Sequence, residues 1–144
     1  MSETGYVLKI SKHGVIRREA FNPEDSLSQL QKCVGGLIER VEIPAFTREG
    51  LDVDCYVNEE GLFDPDPVLN IAVSMMAGRR IVGDAVLAMH DGMGGTAGIP
   101  EPLARLLAKY AKKAFAFGII SRIRFVPTKE TGGNDAERQE ESAE

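Results

Sequence analysis

Apolar and polar residues alternate through "YVLKISK", residues 6–12, and "VIRREAF", residues 15–21, runs extended again, with His13-Gly14 between them. A period of two sends successive side chains to opposite faces of a strand, so the chain opens as a β-hairpin. The period then changes. In "NPEDSLSQLQKCVGG", Leu27, Leu30 and Val34 recur on one helical stripe; Asp25 and Ser26 start the helix, and Gly35 or Gly36 ends it with a left-handed cap. Alternation returns in "LIERVEI", which stops at Pro44. "FTREGLD" follows as a turn, and "VDCYVN" reads as the next strand.

In "LFDPDPVLNIAVSMMAG", Pro67 suits a first helical turn, and Val68, Ile71, Ala72 and Met75 form a stripe that runs to Gly78. Ile81 to Met89 is the most apolar strand; Gly83 interrupts it, as at a bulge or a close approach of backbone. Residues 101–118 carry the strongest helical pattern. Leu103, Leu106, Leu107, Tyr110, Ala114 and Phe117 are expected on its apolar face, with Arg105, Lys109, Lys112 and Lys113 on the other side. "IISRIRFVP", residues 119–127, reads as a last strand. This order lacks a regular strand-helix-strand repeat. It predicts one α+β domain over residues 1–127, with about three helices on a mixed or mostly antiparallel sheet.

After residue 127 the pattern stops. "TKETGGNDAERQEESAE" has six acids against Lys129 and Arg138, and no apolar residue larger than alanine. Such a segment cannot offset the entropy of ordering, so residues 128–144 are expected to form a disordered acidic tail, most simply a solubilising one. It carries −4 of the net charge of −5, leaving the body at −1. No apolar run approaches the ~20 residues of a membrane span. "MSETGYVLKI" lacks the charged and apolar regions of a signal peptide, and the expected location is cytoplasmic. Cys33 and Cys55 are unclustered, which implies reduced, packed thiols and no zinc site.

Three segments carry a resemblance: "LQKCVGGLIERVEIP", "YVNEEGLFDPDPVLNIAV" and "RIVGDAVLAM". The shared pattern is Val34-Gly35-Gly36, Ile38-Glu39, Val57-Asn58-Glu59-Glu60-Gly61, Asn70 with Ala72, and Gly83-Asp84-Ala85. It resembles a family of small proteins of unknown function common in bacteriophages, prophages and plasmids. The resemblance implies a setting, a mobile element in the cytoplasm of a bacterial host, and implies no chemistry.

Candidate chemistry is sparse. "VNEEGLFDPDP" gathers Glu59, Glu60, Asp64 and Asp66, but without the ligand spacing of a calcium loop and without a nearby histidine or lysine to share protons. It reads as a connection in which Asn58 and Gly61 take left-handed dihedrals and the acids face water, and as a surface suited to recognition. His13 is expected to be exposed in its turn. His90 stands beside Asp91, but neighbours on a strand point to opposite faces. "HDGMGGTAGIPEP", residues 90–102, is glycine-rich like a phosphate loop, yet it lacks the lysine of one phosphate motif and the register of another. Pro100 and Pro102 also lack amide hydrogens. The segment reads as a hinge, with Gly94, Gly95 and Thr96 as a flap over any pocket beneath. Arg79, Arg80, Arg122, Arg124 and the helix lysines could form a basic patch, but the net acidity disfavours a nucleic-acid partner.

No catalytic set, metal site or cofactor emerges. The expected function is a non-catalytic binding protein that engages a host protein or sequesters a small nucleotide-like ligand. Its candidate binding residues are Asn58, Glu59, Glu60, Asn70, Asp84, His90, Gly94, Gly95 and Thr96. The alternative is a small hydrolase using His90 and Asp91 with the acids of residues 59–66. Unpaired strand edges could join two copies as a homodimer.

Overall fold

The computed structural model describes residues 5–124; the expected tail lies outside them. The expected strand segments become β1 (Tyr6–Ile10), β2 (Ile16–Ala20), β3 (Ile38–Val41), β4 (Val53–Asn58) and β5 (Ala85–His90), and a further short strand, β6 (Thr96–Ala97), forms inside the glycine-rich stretch. The helices are α1 (Ser26–Val34), α2 (Pro44–Arg48), α3 (Ile71–Ala77) and α4 (Glu101–Arg124), with one 3-10 turn at Gly61–Phe63. The fold is α+β. All strand pairs are antiparallel, in the order β2-β1-β5-β4-β3. The short β6 pairs with Met89 and His90, past the β5 residues that pair with β1.

The period of two sorts the core into layers. Leu8, Ile10, Cys55, Val57, Ala85 and Leu87 pack on one face with α3 and α4. Val7, Val86 and Ala88 point the other way, against Leu30, Cys33 and Val34 of α1. Because β5 is covered on both faces, its residues Ala85 to Ala88 are all buried, which explains why it is the most apolar strand. Both cysteines are free thiols in these layers. The hairpin turn at His13-Gly14 forms as expected: Ser11 and Val15 close it, and Gly14 takes φ +88°. Gly35 ends α1 in the left-handed conformation.

Several boundaries differ from the sequence pattern. The second long stripe starts at Ile71 rather than Pro67, because Asn70 caps α3 by accepting a hydrogen bond from Val73 N at 3.1 Å. The following strand starts at Ala85 rather than Ile81. Residues 81–83 turn back toward α3 instead: Ile81 N donates to Ser74 Oγ, and Gly83 N to Val68 O. Pro44 opens the short α2 inside what reads as a turn.

The expected last strand is not formed, since residues 119–124 continue α4 and residues 125–127 lie outside the described chain. Gly118 is no helix stop. A Cβ there would collide with Ile71 Cγ2 and lie 2.9 Å from Met75 Cγ, so this glycine lets α4 approach α3. The buried line of α4 accordingly follows mostly small residues, Ala104, Ala111 and Gly118, with Leu107 among them. Leu106 and Phe117, expected on the apolar face, point to solvent, as does Leu27 of α1.

Candidate functional site

Alternation along β4 puts Asp54, Tyr56 and Asn58 on the face that α1 covers. Arg40 stands opposite Tyr56 across the β3–β4 ladder, and His90 follows Ala88 on β5, so both share that face. The packed cluster of α1 reaches Tyr56 and Ile38. Beyond it, a polar group forms around one carboxylate. Asp54 Oδ2 accepts from His90 Nδ1 at 2.9 Å and from the Tyr56 hydroxyl at 3.2 Å, while Oδ1 lies 3.6 Å from the Arg40 guanidinium.

Asp54 is buried, and a buried carboxylate is tolerable only when paired and hydrogen-bonded. Its acceptance from Nδ1 assigns the proton to that nitrogen and turns Nε2 outward, 3.5 Å from Asp52 Oδ1. Burial, and then the Asp54 charge, push the Tyr56 phenol up to about 12, so it stays a donor. The group borders a cleft of about 270 Å³ whose walls include Arg40, Glu42, Phe46, Thr47, Asp52 and His90. Three carboxylates, Glu42, Asp52 and Asp54, face this cleft against one guanidinium. That balance repels a phosphate and suits a cationic or donor-rich group.

A second cleft, of about 260 Å³, lies at the other end of the same strand pair, between Lys12, Asn58, Gly61, Asp64, Gly83 and Asp84. Its Asp84 and Asn58 side chains are engaged in the fold. Asp84 Oδ1 accepts from Lys12 N at 2.8 Å, and its Oδ2 lies 3.7 Å from Lys9 Nζ. Asn58 accepts from Glu60 N and donates to Val34 O. Residues 84 and 90 stand roughly 20 Å apart at ~3.3 Å per strand residue. The nine candidates from sequence therefore do not form one site.

Asn58 and Asp84 line the second cleft, and Glu59 and Glu60 are exposed near it. Asn70 is fully buried, so it leaves the set of ligand contacts. Its amide donates to Ile10 O and Gly83 O, and its Oδ1 caps α3. His90 belongs to the first cleft, with Thr96 opposite it on β6. Asp91 turns away and accepts from Met93 N and Gly95 N, bonds that hold its carboxyl below the usual carboxylate range. The pairing of His90 with Asp91 and the acids of residues 59–66 is thus not assembled; the partner of His90 is Asp54.

The glycine-rich stretch is a braced β5–β6 turn with positive φ at Gly92 and Gly94, rather than a free hinge. The acids of residues 59–66 face water as expected. Asn58 and Gly61, however, do not take left-handed dihedrals; among the described residues positive φ falls only on other glycines. Asp54 and Tyr56 escaped the sequence reading, although the period of two in "VDCYVN" already places them on one face. Arg40 had no signal at all without the strand register.

A family model described as a domain of unknown function, DUF3846, matches residues 4–113. The chain belongs to the DUF3846 family. No curated protein and no solved structure matches it. The DUF3846 match takes in both clefts and every residue of the Asp54 group. Among its described residues no group of three or more His, Cys, Asp or Glu side chains is placed to hold a metal ion, and no helix is long and apolar enough to cross a membrane.

Proposed function

We propose that this DUF3846 protein is a non-catalytic binding protein of a phage or another mobile element, acting in the cytoplasm of a bacterial host. Its recognition site is the cleft beside Asp54 and His90. One observation carries this reading: a buried carboxylate holds an imidazole and a phenol by hydrogen bonds beside the cleft, with a guanidinium 3.6 Å away. Such preorganised polar groups beside an apolar floor are what a binding site needs. Phe46 provides part of that floor. The surplus of carboxylates favours a basic side chain of a host protein, or a base-like ligand without phosphates, over a nucleotide.

Native mass spectrometry of protein purified from bacterial lysate tests this. The expected result is a retained small molecule or a defined protein partner, released by Glu42→Gln with Asp52→Asn. Retention unchanged in that variant, or no bound species at all, would overturn the assignment of this cleft.

One geometric feature supports a second reading. The His90–Asp54 bond leaves Nε2 facing outward, as in a general base that takes a proton from water during ester hydrolysis. A panel of fluorogenic esters distinguishes the two readings: turnover that disappears in His90→Ala would replace the binding reading with the catalytic one.

A further inference from the structure

Two exposed apolar surfaces in this chain carry opposite charge. The first is the 3-10 turn at Gly61–Phe63, where Leu62 and Phe63 are 71% and 82% exposed. Residues 59–66 flank them with Glu59, Glu60, Asp64 and Asp66 and contain no basic residue. This turn is built rather than loose. Glu60 N donates to Asn58 Oδ1, Phe63 N to Glu60 O, Asp64 N to Gly61 O, and Asp66 N to Asp64 Oδ1. Gly61 sits so near Val82 that a Cβ there would lie 3.2 Å from Val82 Cγ2. Two large apolar side chains are thereby presented to water on a braced support, and little ordering entropy remains to be lost on docking.

The second surface is the outer side of α4. Leu106 and Phe117 are each 61% exposed, and Ile120 falls on the same row at helical spacing. At ~1.5 Å per residue this row extends roughly 20 Å. Lys113 interrupts it, and Lys109, Lys112 and Arg105 flank one side, all exposed. Arg105 is paired with Glu101, whereas among the described residues the three lysines have no ion-pair partner. Residues 102–121 contain no acid. The tail of residues 128–144 has acids for the lysines but no apolar residue larger than alanine for Leu106 and Phe117.

We infer that the Leu62–Phe63 turn of one copy docks on the outer face of α4 of a second copy, apolar against apolar and acidic rim against basic flank. The contact joins different patches, so two copies can close reciprocally or extend into a chain. It is independent of the cleft at Asp54, and it differs from pairing along strand edges. Both sheet edges are blunted by charge, at Arg17, Arg18 and Glu19 on β2 and at Glu39 and Arg40 on β3.

Sedimentation velocity and light scattering of the full chain across a concentration series test the proposal, with circular dichroism to confirm folding. The expected result is a mass that rises above one chain with concentration. Leu62→Ser with Phe63→Ser, or Glu60→Lys with Asp64→Lys, weakens association by about tenfold or more. Lys109→Glu with Lys113→Glu does the same. Mixing the two charge-reversed proteins restores association between them. A single-chain mass at every concentration overturns the inference. So does association that these exposed substitutions leave unchanged, or a failure of the mixed charge reversals to pair.

Discussion

His90 Nδ1 lies 2.9 Å from Asp54 Oδ2, across a sequence separation of 36 residues. The bond joins the last residue of β5 to a buried carboxylate near the start of β4, and Tyr56 and Arg40 converge on the same group. Asp54 is therefore the anchor of the site and His90 its outward-facing member. Replacing Asp54 with Ala leaves a phenol and an imidazole without their acceptor, and should destabilise the protein by ~1–3 kcal/mol. His90→Ala, at a half-exposed position, should lose well under half of that. Urea unfolding of the two variants checks the order; equal losses would contradict the anchor role.

Asn70 ties three parts of the chain together through Ile10 O, Gly83 O and Val73 N. Asn70→Ala removes the donor from the Ile10 and Gly83 carbonyls and uncaps α3. The expected loss is about 2–4 kcal/mol, read as a lower midpoint in thermal or urea unfolding.

Gly118 is a contact position and not a weak point in its helix. Alanine has the higher helix propensity by ~1 kcal/mol, yet its methyl group would collide with Ile71 Cγ2. Overpacking should prevail, so Gly118→Ala lowers stability by about 1–2 kcal/mol. Adding Ile71→Ala should recover part of that loss, and a double-mutant cycle measures the coupling.

Stability should fall in alkali. Burial pushes the Cys33 thiol from its ordinary 9.0 up to about 11 and the Cys55 thiol up to about 12. Both thiols ionise more readily in the unfolded chain, so their contribution is complete below pH 9.0 and is lost as pH rises toward 11 and 12. The Tyr56 phenol, raised from 10.0 to about 12, acts in the same direction. Denaturant midpoints measured from pH 7 to 11 test the trend. At pH 8, native protein should react with a thiol reagent far more slowly than unfolded protein does.

The β5–β6 turn should respond to alanine at its glycines. Gly94 has φ +91°, and a Cβ on Gly95 would lie 2.6 Å from Asp91 Oδ2. Gly94→Ala should cost about 1–2 kcal/mol through its backbone conformation. Gly95→Ala displaces the Asp91 carboxylate that caps the turn. Thermal melts of the two variants check both effects; unchanged midpoints would restore the flap reading of this stretch.

Local sequence determined the opening hairpin, the helix ending at Gly35, the strands at "VDCYVN" and "AVLAM", and the exposure of the acids in residues 59–66. Each follows from a period or a breaker that acts within a few residues. The tertiary structure decided which side of α4 is buried. Gly118 and the alanines permit close packing against α3, so the bulkier Leu106 and Phe117 are left outside. It also decided where helix and strand begin between Pro67 and Ala85, because Asn70 bonds the distant Ile10 carbonyl and Ser74 turns residues 81–83 back onto α3. The site itself was decided the same way. Histidine and aspartate 36 residues apart meet only through the β4–β5 register, and no local pattern in a sequence encodes that register.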